Sequence, residues 1–287
     1  MESPVPVPPY SVCVIGNSHS AAFAKAWTER VAPELPGVSM TFFAASSQRL
    51  RHLVHADGAL TTHEPELAEA FAVSSGGNTR IEIDAYDAFL LVGLGMRITV
   101  PSLCGPFGTL RHRSWGPVET LVSEACFAAM VEAALQESQA FWLIDQVRAA
   151  GPSPVLLCAT PFRSEEEASY SFRNKNRRFA DDTFRGKVIA QCQQIGSALA
   201  ARHGGEFVWQ DESTVSIAGF TRAEFARGAH RLAESERDDG LHMNMDFGQI
   251  MLTRALTRLD EIAGGVVFGT DQLPGSSFEG RFAATSG

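Results

Sequence analysis

Five short apolar or mixed runs, at 12–15, 38–43, 88–92, 154–159 and 206–209, recur along this 287-residue chain with segments of helical length between most of them. The first, Val12-Cys13-Val14-Ile15, is too short for a helix and reads as a buried strand. Helices are expected over about 21–31, 119–149 (bent or split), 181–202 and 246–262, with shorter ones near 48–56 and 64–72. Pro33 closes the first and Gly151-Pro152 stops the long one. Strands that alternate with helices call for a parallel sheet covered on both faces, and right-handed crossovers restrict how it is wound. The expected fold is therefore α/β, a three-layer α/β/α sandwich around a central, mainly parallel five-stranded sheet. One domain would span 1–265, with a Gly- and Pro-bearing insertion around 97–117. The 266–287 segment, rich in Gly, Ser and Thr, reads as a surface arm or a disordered tail.

Composition narrows the function classes. A 45% hydrophobic and 20% charged content is that of an ordinary globular protein. A formal charge of −9 disfavours nucleic acid as a partner, because its binding needs a basic surface. No apolar run approaches the roughly 20 residues of a membrane span. The stretch from Met1 to Pro9 has neither the basic start nor the apolar centre of a secretion signal, so the expected location is cytoplasmic. The five cysteines, at 13, 104, 126, 158 and 192, form no close pair and read as reduced thiols. His52, His55 and His63 lack a ligand spacing and a partner acid, so no metal is expected. Gly93-Leu94-Gly95 lacks the rest of a phosphate loop, and no cofactor is expected. The clusters Arg111-His112-Arg113 and Arg173-Asn174-Lys175-Asn176-Arg177-Arg178 read as solvated faces.

Two short stretches at opposite ends carry chemistry. Gly16-Asn17-Ser18-His19-Ser20 leaves the first strand, where a parallel sheet places ligand-binding turns. Asp239-Gly240-Leu241-His242 sets an acid three residues before a histidine. A serine hydroxyl is a weak nucleophile until an imidazole takes its proton, and that imidazole needs a carboxylate to fix its tautomer. All three groups are present, in the order Ser, Asp, His. Taken singly, Ser18 reads as a helix cap and His242 as a loop histidine; the pairing is what raises the catalytic reading.

At these residues the chain resembles the SGNH, or GDSL, hydrolase superfamily, which opens with a strand and Gly-Asp-Ser-x-Ser and closes with Asp-x-x-His. Asn17 stands where the family has Asp. The resemblance implies Ser18 as nucleophile, His242 as general base and Asp239 as its orienting acid. Met243-Asn244-Met245-Asp246-Phe247-Gly248 is similar to the start of the family's last helix. The family's second block, a glycine after the second strand, is absent; the backbone of Ala45, Ser46 or Ser47 offers the donor in its place. In the third block, Gly-x-Asn, the glycine is Gly93 and Gly95 stands at the asparagine, with Arg97 and Asn78 as replacement donors. The implied oxyanion hole thus draws on Ser18, Ser46 and the loop at Gly95, and substrate contacts on Asn17, His19 and Arg97. The implied activity is ester hydrolysis through an acyl-enzyme, on small O-acyl esters such as acetylated carbohydrate. Two alternatives accompany it: an O-acyltransferase with the same triad, and a non-catalytic binding or scaffolding protein. The partner expected is a small-molecule or carbohydrate ester; the sequence does not specify an oligomeric state.

Overall fold

A computed structural model describes residues 9–97, 107–115, 118–166, 182–217, 219–232 and 240–265. Its central sheet has five strands: β1 (Tyr10–Gly16), β2 (Val38–Ala44), β3 (Ala88–Gly93), β4 (Val155–Ala159) and β5 (Glu206–Val208). They lie in the order β5-β4-β3-β1-β2, and every pairing is parallel. The winding reverses beside β1, so a crevice opens at the carboxyl ends of β1 and β3, where such sheets bind ligands.

The side-chain period of two sorts the strands into two cores. Cys13, Ile15, Phe43, Phe89, Leu91, Val155 and Leu157 face one helical layer. Val12, Val14, Phe42, Leu90, Val92, Leu156 and Cys158 face the other. Burial on both faces explains why the central strands read as continuous apolar runs. The same burial pushes the Cys158 thiol up to about 12 and raises that of Cys13 well above its ordinary value. Cys192 is also buried and Cys126 is exposed, neither of them in a disulfide; Cys104 lies outside the described residues.

The helices are α1 (Ser20–Ala26), α2 (Ser47–Leu50), α3 (Pro65–Ser75), α4 (Leu110–Trp115), α5 (Glu124–Gln136), α6 (Gln139–Ala150), α7 (Asp182–Arg202) and α8 (Met245–Ile262). α1 widens into a π-turn over Trp27–Val31, so the expected helix over 21–31 is present with a change of pitch. The long helix expected over 119–149 is split. Ser138 ends one half and caps the next, accepting from the Ala140 N–H at 3.1 Å while donating to the Leu94 carbonyl at 2.9 Å.

The helix expected over 48–56 is the clear departure. Only one turn forms, and the chain then pairs Val54–Ala56 with Ala59–Thr61 in a hairpin. Asp57 and Gly58 adopt φ of 50° and 77°, the left-handed pair that a two-residue hairpin turn requires and that Asp-Gly favours. Of the basic clusters, Arg111 and Arg113 are exposed but His112 is fully buried, against Phe127 and Phe184. The cluster at 173–178, most of the 97–117 insertion and the 266–287 tail lie outside the described residues. No helix among the described residues is long and apolar enough to cross a membrane.

Candidate active site

Ser18 sits between β1 and α1, half-buried, at the point where the sheet order reverses. The turn that holds it is fixed from within. The Asn17 N–H donates to Val92 O at 3.3 Å, and both the N–H and the hydroxyl of Ser20 donate to Asn17 O, at 2.9 and 2.7 Å. Gly16 cannot carry a side chain here, because a Cβ would lie 2.7 Å from that of Ser20.

The Asn17 side chain is buried and committed to the protein. Its Oδ1 accepts from the His19 N–H at 3.1 Å, and its Nδ2 donates to Ser47 Oγ at 2.9 Å. It also lies over Gly93, where a Cβ would approach Oδ1 to 2.3 Å. One amide therefore ties together the turns leaving β1, β2 and β3. These bonds give the Asn17 side chain a positioning role. Asn17→Ala should slow any turnover that depends on Ser18 about tenfold, by loosening the turn that holds it. Asn17→Asp should stay within about threefold of wild type, since a carboxylate can accept from both His19 N–H and the Ser47 hydroxyl. Steady-state kinetics with p-nitrophenyl acetate, beside thermal melts of both variants, checks this.

His242 arrives from the other end of the chain. Its loop is held on both sides: Gly240 O accepts from Ser164 N–H at 2.8 Å, and Met243 O accepts from His230 N–H at 3.0 Å. Asn244 caps α8 by accepting from Phe247 N–H at 3.1 Å, and its Nδ2 donates to the carbonyls of Glu224 and Arg227 at 2.8 and 3.1 Å. Burial lowers the pKa of the neighbouring His230, with Lys25 acting in the same direction and Glu29 against it.

These constraints bring His242 Nε2 to 2.7 Å from Ser18 Oγ. With Nε2 accepting the hydroxyl proton, Nδ1 carries the ring hydrogen, the tautomer a serine-activating imidazole needs. His19 is 7% exposed and stacks on His242, with ring centroids 5.0 Å apart and planes 25° from parallel. It packs behind the imidazole and does not open to solvent. Asp239, the expected orienting acid, lies outside the described residues, as does Asp238.

No family model and no curated protein sequence matches the chain. Three solved structures are similar to it in outline. The periplasmic domain of a lipopolysaccharide acetyltransferase from Salmonella ser. Paratyphi A matches with a TM-score of 0.44 at 9% identity, over 88% of this chain and 84% of that one. A protein assigned as a GDSL-like lipase, from Parabacteroides merdae, matches with a TM-score of 0.39 at 12% identity, over 90% and 98%. A gut microbial diltiazem-metabolizing enzyme matches with a TM-score of 0.38 at 14% identity; the match covers 88% of this chain and 47% of that enzyme.

The turns that flank Ser18 differ in what they can donate. Ala45 is spent, because its N–H donates to Gly16 O at 3.2 Å. Ser46 and Ser47 open α2, where first-turn amides have no partner within the helix. Beyond β3, three successive residues take positive φ: Gly93 at 76°, Leu94 at 52° and Gly95 at 83°. For Leu94 this conformation is strained, by about 1–3 kcal/mol, and it is held by a buried side chain and the Ser138 bond to its carbonyl. Gly95 and Arg97 are exposed at the end of this loop, and Asn78 is exposed in the turn after α3. His52 faces Glu64 at 3.6 Å and His55 reaches Gln146 at 3.1 Å, so these two histidines diverge. Sequence reasoning did not single out Ser20, Asn244 or Ser138; for the last two, a polar residue just before a helix was the available signal.

Proposed function

We propose that this chain is a serine ester hydrolase of the SGNH type, acting on small O-acyl esters, with acetylated carbohydrate the preferred class. The supporting observation is the 2.7 Å contact between Ser18 Oγ and His242 Nε2, made across 224 residues of sequence. A scaffolding protein has no need to hold that pair within proton-transfer reach at the ligand edge of its sheet.

Ser18 Oγ attacks the ester carbonyl carbon while His242 Nε2 takes the hydroxyl proton. The carbonyl oxygen becomes an oxyanion, met by the Ser18 N–H and an N–H of Ser46 or Ser47. As the tetrahedral intermediate collapses, His242 returns the proton to the leaving alcohol, and the acyl group stays on Ser18. A water then gives a proton to His242 and attacks the acyl carbon; as this second tetrahedral intermediate collapses, the acyl–Oγ bond breaks, His242 returns the proton to Ser18 Oγ, and the acid leaves. Asp239 is assigned to orient His242 and to balance its transient charge. An acyltransferase would differ only in the second half, with a sugar hydroxyl in place of water.

The test is covalent labelling. A fluorophosphonate should add once to the wild-type protein by intact mass, and the adduct should vanish in Ser18→Ala. An unlabelled wild type, under conditions that label a known serine esterase, would sink the reading. If the wild type labels, acceptor-dependent turnover by fresh, unlabelled protein would move the reading to acyl transfer.

A further inference from the structure

A groove of about 570 Å³ runs between the 54–61 hairpin and the start of α6. Both walls are rooted in turns that flank Ser18. One wall follows from Ser47, which holds Asn17 Nδ2: α2 makes a single turn, about 6 Å of rise, and the chain reaches Arg51, Val54 and His55. The other wall starts at Ser138, bonded to Leu94 O in the loop after β3, and continues along α6 through Gln139, Trp142 and Gln146. Those three positions share one helical face, opposite Phe141, Ile144 and others that fill the core. The bond between His55 Nδ1 and Gln146 Oε1 closes the far end.

The lining is chemically particular. Trp142 is partly buried, packed against the edge of the core, and turns the rest of its aromatic surface to the groove, while Val54 adds an exposed apolar side chain. Around them stand carboxamides, each both donor and acceptor. Arg51 and Glu137 bring one charge of each sign, so the groove selects for neither cation nor anion. An acyl chain laid here would leave the amides without partners, at a cost. A ring with apolar C–H faces and a rim of hydroxyls satisfies both kinds of wall at once. The volume is within the roughly 300–1,000 Å³ of small-molecule sites.

We propose that this groove binds the saccharide part of the substrate: a neutral oligosaccharide that rests on Trp142 while its acyl ester reaches Ser18. The proposal rests on the reading of Ser18 as an ester-cleaving nucleophile, but its binding step does not need turnover. Isothermal titration of the full chain carrying Ser18→Ala, with xylohexaose and cellohexaose as probes, should give saturable binding to at least one. Adding Trp142→Ala should weaken it about tenfold. Gln139→Ala, on a side chain only half-buried, should weaken it less, and it guards against a folding defect in the tryptophan variant. In the wild-type background, Trp142→Ala should raise KM for partially acetylated xylohexaose about tenfold more than for p-nitrophenyl acetate. Absence of binding by both hexasaccharides would overturn the proposal, as would equal effects on the two esters. Failure of p-nitrophenyl acetate turnover and fluorophosphonate labelling, with saccharide binding intact, would instead remove the esterase reading and leave the groove as a glycan site.

Discussion

His242→Ala should reduce kcat/KM for p-nitrophenyl acetate by about 10⁴-fold or more, with little change in melting temperature. The size follows from the role proposed for the imidazole. A serine hydroxyl at neutral pH is almost wholly protonated, and Nε2 at 2.7 Å is the group placed to remove that proton as the bond to carbon forms. Without it, attack has to expel the proton to water, and the departing alcohol loses its acid. Ser18→Ala should cost a similar factor, and the double variant should be no slower than either single one, because the two residues act as a unit. The residual rate would come from binding and from the backbone amides of Ser18 and the 46–47 turn. Steady-state kinetics on the three variants decides it. Multiplicative losses, or a drop below tenfold in His242→Ala, would mean that the contact does not carry the chemistry.

The two motifs that make this pair legible in sequence are legible for a local reason. A glycine-led turn after a buried strand, and an acid three residues before a histidine, are short-range patterns, and both survive the low similarity of the rest. The alternation of strands and helices also sufficed for the parallel sheet, because burial on both faces leaves apolar runs where strand β3 and its neighbours lie. What stayed hidden depends on partners far away in the chain. The Ala45 amide is unavailable to an oxyanion only because strand register sets Gly16 opposite Ala44 and leaves Gly16 O to accept from Ala45. That the 119–149 helix splits was expected, but the place of the break, at Ser138, depends on a hydroxyl bonded to Leu94, distant in sequence. The hairpin at 54–61 was concealed differently. All three residues of Val54–Ala56 are exposed, so no alternation marks a strand, and the signal lay in Asp57-Gly58 alone. Asn17 illustrates the same limit at the site: its neighbour identifies the turn, but its bond to Ser47 and its place over Gly93 exist only once three strands are assembled.

Gly248→Ala should lower activity about a hundredfold while costing the fold at most about 2 kcal/mol. Gly248 lies inside α8, so local preference alone favours alanine there, by about 1 kcal/mol. The opposing term is contact. A Cβ at this position would stand 2.2 Å from the carbonyl oxygen of Ala22 and 2.5 Å from its carbon. Both are backbone atoms of α1, so no side-chain rotation relieves the clash, and the two helices have to part by nearly 1 Å. Overpacking of that kind costs about 1–3 kcal/mol, which outweighs the gain in helix preference. The consequence for function is larger because of what each helix carries at its start. Ser18 immediately precedes the first turn of α1, and His242 precedes the cap of α8. Parting the helices lengthens the Ser18–His242 contact from 2.7 Å toward the limit of a hydrogen bond. A displacement of about 1 Å in a reacting pair costs roughly 100-fold in rate. Gly248 is buried and packs on α1 backbone, so a loss of kcat with KM nearly unchanged identifies spacing as the cause. The measurement is kcat and fluorophosphonate labelling rate beside a thermal melt of the same preparation. A variant that melts higher and labels at the wild-type rate would show that α1 and α8 slide apart without moving the pair, and the glycine would then owe its place to something other than the distance between serine and histidine.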